Sequence, residues 1–170
     1  MKRINNTSVS RRSGIAFLLA SVTLLTFAPR PTLASIETPF NASFATQFTT
    51  SLEFPILHVT VAAKGKATYM GATTASTHDQ VSNLIDGSGS ATYTLRAGSR
   101  DTLTLALVIQ PGGTINVEGG VLFSGSYTVV GGTGRFNGNT GSGVFAGSAL
   151  FLNPTEGIGS FSLVGLLITR

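Results

Sequence analysis

The chain of 170 residues has no cysteine and no tryptophan, and charged side chains make up only 11% of it. The missing cysteine excludes disulfides and a lipid anchor on an N-terminal cysteine, so the fold must rest on its core and its backbone ladder. Acidic residues are absent from the first 34 positions, which instead carry Lys2, Arg3, Arg11, Arg12 and Arg30. The formal net charge of +4 therefore belongs to that leader, because the remainder sets six bases against seven acids. A nearly neutral body cannot neutralise a run of phosphates, and nucleic-acid partners are excluded on that ground. Strong surface helix formers are scarce too. After position 34 there are 4 Glu and 2 Lys against 19 Thr and 20 Gly, a composition that favours strands and turns.

Residues 1–34 read as a cleavable signal peptide. A basic start leads into the apolar run Gly14–Ala28, and Thr32-Leu33-Ala34 places small residues at positions −3 and −1 of a cut after Ala34. The alternative is a retained membrane anchor. It is disfavoured because 15 helical residues reach about 22 Å, against a hydrocarbon core of roughly 30 Å. The protein is accordingly expected to be exported, secreted or periplasmic, with no stable membrane insertion after cleavage. Ser10-Arg11-Arg12 ahead of the apolar run leaves both the general secretory and the twin-arginine routes open.

The remaining 136 residues are expected to be all-β. Leu103, Leu105, Leu107 and Ile109 alternate with Thr102, Thr104, Ala106 and Val108; Val121, Phe123, Gly125, Tyr127 and Val129 repeat that period of two. Turn signals stand at Asp86-Gly87, Ala97–Arg100, Pro111-Gly112-Gly113 and Asn153–Gly157. The pattern predicts strands over 55–62, 65–70, 73–84, 89–97, 101–110, 115–130, 141–152 and 157–169, with a bulge or short turn at Gly119-Gly120. Residues 35–53, with Phe40, Phe44 and Phe48, form an N-terminal arm or strand ahead of a barrel domain at 54–170. Short connections impose antiparallel pairing, and so many strands in one small domain must hide their edges. An eight-stranded barrel is favoured over a two-sheet sandwich, and the last two strands carry apolar residues on both faces.

The most distinctive segment is Val129-Val130-Gly131-Gly132-Thr133-Gly134-Arg135-Phe136-Asn137-Gly138. Its glycine spacing does not match a phosphate loop, and strand-like sequence follows it where a helix would be needed. Its local role is a structural turn built on Gly131, Gly132 and Gly134. The segment also resembles the signature of dirigent proteins and the related turn of allene oxide cyclases. Gly65–Gly71 and Thr92–Leu95 are similar to blocks of bacterial secreted members of that barrel superfamily. The resemblance implies an eight-stranded antiparallel barrel with an apolar cavity, in families that steer phenoxy-radical coupling or cyclise a fatty-acid epoxide. It also implies self-association as a homo-oligomer, a trimer in related barrels. It assigns no catalytic residue here.

Chemistry-bearing side chains are few. His58 is in phase with Thr60 and out of phase with Leu57, Val59 and Val61, so it faces solvent. His78-Asp79 reads as polar strand or loop, and no metal or cofactor is expected. Glu53, Asp79, Asp86, Asp101 and Glu118 give no convincing carboxylate pair, and no G-x-S-x-G occurs. Arg96 points outward if Tyr93 and Leu95 point inward. Tyr69, Tyr93 and Tyr127 are the candidate ligand-binding residues, each able to offer a hydroxyl inside a cavity. The leading expectation is an exported barrel that binds a small hydrophobic molecule. The alternatives are an isomerase or coupling-steering protein of the cyclase and dirigent kind, a structural exported protein, and an outer-membrane barrel. That last reading is weakened by zero Trp and three Tyr, too few for two aromatic girdles. If the glycine turn is read correctly, replacing Gly132 or Gly134 by Val should lower the melting temperature.

Overall fold

The computed structural model describes residues 35–115 and 120–169. Residues 1–34, on which the expected signal peptide falls, lie outside the described residues, as do Glu118 and Gly119. Among the described residues nine strands follow one another as β1 (Ile36–Glu53), β2 (Ile56–Ala67), β3 (Gly71–Asn83), β4 (Gly89–Ala97), β5 (Asp101–Ile109), β6 (Thr114–Ile115), β7 (Gly120–Thr133), β8 (Thr140–Asn153) and β9 (Glu156–Thr169). A single 3-10 turn, Gly134–Phe136, separates β7 from β8. Every pairing is antiparallel. β1 pairs with β2 on one side and β9 on the other, and β5 pairs with β7, so eight strands close into a barrel. The two-residue β6 continues the line of β5 along β7.

Alternation is kept nearly everywhere. Leu95, Leu103, Leu105, Leu107, Tyr127 and Val129 all point into the barrel and are buried, as their period of two requires. The exterior of β8 and β9 carries exposed Val144, Val164 and Leu166, with Val144 and Val164 directly opposite each other. Residues 35–53 contribute a full stave: β1 is paired along both edges. The two strands expected at 55–62 and 65–70 are one uninterrupted strand, β2. Ala63 and Lys64, expected to separate them, stay in the ladder opposite Thr46 and Ala45, as Gly65 does opposite Phe44. In the expected 115–130 strand, β6 ends at Ile115 and β7 starts at Gly120.

Gly65 exemplifies how the interior is filled. Five inward aromatic rings lie over glycines directly across the ladder: Phe44 on Gly65, Phe48 on Gly157, Phe123 on Gly147, Phe145 on Gly125, and Tyr127 on Gly143. Tyr127 reaches one strand further, and a Cβ on Gly165 would sit 2.5 Å from its hydroxyl. Each ring occupies the space that its neighbour's side chain would need. Phe44 stacks on its β9 partner Phe161 with centroids 4.9 Å apart, and Tyr93 of β4 meets Phe161 edge-on at 5.3 Å, a contact that runs across the barrel.

The conspicuous glycine turn closes one end. Phe136 is buried and sits with Leu103 and Leu167 in the core. Gly134 adopts φ +61°, and a Cβ there would run into the Asp101 carboxylate. That carboxylate accepts from the Arg135 side-chain Nε at 2.6 Å and from the Arg135 backbone N–H at 3.2 Å. The side-chain bond to Arg135 is the first cause that holds the Asp101 carboxyl below its ordinary value. Gly132 does not have positive φ, and the conformational reason expected for it is replaced by a steric one. Its Cβ would meet the Phe136 carbonyl oxygen at 2.5 Å and the Thr102 oxygen at 2.9 Å. Gly131 lies within β7, and a Cβ there would meet nothing within 4 Å.

Two outcomes follow from this packing. Gly147→Ala places a methyl 2.5 Å from the Phe123 ring and 2.6 Å from the Ser160 backbone oxygen, so urea denaturation should show a loss of about 2 kcal/mol. Gly131→Ala should stay within about 0.5 kcal/mol of wild type. Because the folded Asp101 pKa is depressed, its ion pair stabilises above the unfolded value of 3.8 and is lost as pH falls through the folded value. The melting-temperature gap between wild type and Asp101→Asn should therefore be complete above about pH 5 and shrink below about pH 4.

Candidate functional site

The two ends of the barrel are filled differently. Toward the glycine turn, Phe40, Leu95, Leu103, Leu163 and Leu167 are almost completely buried and pack the axis. Toward the opposite end the inward positions of β1, β2 and β8 are held by smaller groups such as Thr46, Val59, Val61 and Ala149. A cavity of about 450 Å³ remains there. Phe48, Leu57, Ile109 and Phe123 form its walls, and Tyr93 and Phe161, which belong to the core, also line it.

The rim is built from turns. Asp86 and Gly87 sit in the β3–β4 turn, where Gly87 takes φ +76°. The Asp86 carboxylate accepts from the Ser88 hydroxyl at 2.7 Å and the Ser88 N–H at 2.9 Å, bonds that lower its pKa. The Gly112 N–H donates to the Asp86 carbonyl at 2.9 Å, tying the second glycine loop to the first. Leu84 and Ile85 at this rim are exposed.

One polar pair interrupts the apolar lining. The Tyr93 hydroxyl donates to Gln80 Oε1 at 2.9 Å, and both residues line the cavity. Burial is the main reason that the Tyr93 hydroxyl is pushed above its ordinary pKa, with the negative charge of Asp79 adding to it. Burial also works to raise Asp79. It is outweighed by bonds from the Thr77 hydroxyl at 2.6 Å and the Thr92 N–H at 2.9 Å, and the carboxyl titrates below its usual range.

Gln80 reaches the cavity through a bulge. Ser76 pairs with Thr94, but Val81 pairs with Ser90, one residue out of step. The same slip appears on the other side, where Val61 faces Thr77 and Val59 faces Gln80. Thr73, Ala75 and Thr77 point inward before the bulge; Gln80 and Ser82 line the cavity after it. Strict alternation from Thr77 would have sent Gln80 outward, which is why sequence periodicity does not single it out.

Of the three tyrosines chosen from the sequence, Tyr93 alone lines the cavity. Tyr69 stands in the β2–β3 turn at φ +64°, 51% exposed, because the tight connection turns it away from the barrel. Tyr127 is buried in the filled part, over its glycines. Its hydroxyl has no hydrogen-bond partner among the described residues, and burial pushes its pKa up to about 12. Gly132 and Gly134 belong to the opposite end. His58 is exposed 3.7 Å from Glu53, while His78 and Arg96 also face outward. Searches against protein families, curated proteins and solved structures found no match to this chain.

Tyr127→Phe removes a buried hydroxyl that satisfies nothing, so its thermal stability should equal or exceed wild type by up to about 1 kcal/mol. A drop of similar size in a denaturant titration would show that the hydroxyl is bonded after all.

Proposed function

We propose that this barrel is a binding protein for a small hydrophobic molecule, held in the cavity at its open end. The observation that carries the reading is that cavity: about 450 Å³, mostly apolar, and backed by a tightly packed barrel floor. Its size falls within the roughly 300–1,000 Å³ typical of ligand pockets, and an eight-stranded barrel is wide enough for one small ligand. With the leader as an export signal, the ligand is met outside the cytoplasm. The resemblance of the glycine turn to dirigent and allene oxide cyclase barrels supports the same kind of pocket. In the alternative use of that pocket, the barrel would fold a reactive substrate for cyclisation or coupling. Binding is preferred because Asp86 and Tyr93 are the titratable groups lining the cavity among the described residues, and they make no acid–base pair.

Native mass spectrometry of protein purified without detergent tests this directly. The expected result is a population heavier than the polypeptide by one small molecule, lost in Val59→Phe, which fills the cavity. That variant should melt no lower than wild type, since it adds apolar contact where space exists. Retention of the bound mass in a folded Val59→Phe protein would place the ligand elsewhere.

A further inference from the structure

Building on that reading, we propose that the cavity prefers an uncharged molecule whose polar end is a hydrogen-bond acceptor, such as a ketone or an ester, and discriminates against a carboxylate. The preference originates in the position of one proton. Tyr93 is 6% exposed, and a buried hydroxyl must place its hydrogen on an acceptor. Gln80 Oε1 is that acceptor, at 2.9 Å. The bond fixes which end of the Gln80 amide faces the tyrosine, because the NH2 group has no lone pair to offer. The Gln80 Nε2 is thereby left as the free end, a pair of N–H donors with no partner among the described residues.

Donors beside an apolar cavity are costly when unmet and selective when met. A ligand that ends in a carbonyl or ester oxygen satisfies one of them, whereas a bare hydrocarbon satisfies none. The charges sharpen the choice. Among the described residues no Lys, Arg or His lines the cavity; Asp86 stands at its rim and the Asp79 charge is felt by Tyr93. A carboxylate would lose its water, find no cation on the lining and stand near the Asp86 charge at the rim, which is unfavourable on each count. The bulge in β3 serves this arrangement. It turns Gln80 inward while Asp79 is tied to Thr77 and the Thr92 N–H.

The test is competition against the neutral fluorescent probe N-phenyl-1-naphthylamine, using 2-nonanone, nonane and nonanoate at neutral pH. In the wild-type protein all three positions of the scale are read: 2-nonanone and nonane displace the probe, and nonanoate is at least about tenfold weaker than the ketone. Gln80→Met should weaken 2-nonanone by about fivefold to tenfold, the worth of one neutral hydrogen bond, and leave nonane within about twofold. Because Gln80→Met orphans the Tyr93 hydroxyl, the double variant Gln80→Met/Tyr93→Phe is measured beside it and should show the same loss. Equal response of ketone and alkane to both variants would overturn the proposal and leave the binding reading standing. Nonanoate binding as tightly as 2-nonanone would overturn the charge argument. If neither the probe nor any competitor binds, the cavity reading itself falls, and this inference with it.

Discussion

An eight-stranded barrel is only just wide enough for its own side chains, so a ring that lies flat over a neighbouring stave needs a residue without a side chain beneath it. In this protein that constraint is met by giving each of five aromatic rings a glycine as its cross-strand neighbour on one side. The glycines are therefore part of the core rather than gaps in it. A chain without cysteine has no covalent staple to compensate for a poorly filled interior, and the ring-on-glycine packing supplies the apolar burial instead.

The same rule, relaxed at one end, leaves space for a ligand. Where Thr46, Val61 and Ala149 replace bulkier neighbours, the interior opens; where Phe40, Leu163 and Leu167 meet, it is sealed. The segment Gly131–Gly138, the most conspicuous in the sequence, is a plug at the sealed end. Asp101, Arg135 and Phe136 hold it there. Prominence in sequence here marks a demanding turn, while the polar group of greatest chemical interest is an unremarkable glutamine.

Much of the architecture was legible because alternation survives in most strands: 103–109 and 121–129 show their inner and outer faces residue by residue. Strand number and short turns then lead to closure. Where reading failed, a local exception to alternation is responsible. The gap expected at Ala63-Lys64 is continuous strand because Thr46 and Ala45 of β1 hold those residues in the ladder, and nothing in their own neighbourhood announces that partner. β1 hides its role because the inward Phe40, Phe44 and Phe48 alternate with the small Ala42 and Thr46. Gln80 is concealed by a one-residue slip that depends on backbone bonding to two neighbouring strands. Tyrosines could be named as candidates, but which of them reaches the cavity depends on three-dimensional position: a turn takes Tyr69 out, and the glycine seats take Tyr127 down.

The seam between β1 and β9 joins residues from opposite extremes of the described chain; the Thr169 hydroxyl bonds the Ile36 carbonyl across 133 positions. Hairpins such as β4–β5 and β8–β9 can form as soon as their residues exist, but this seam cannot. Until β9 is available, β1 presents an unpaired edge, and the sheet has two open margins where the finished barrel has none. Closing the cylinder thus carries a loop-closure cost set by the 133 positions that separate the two sides of the seam.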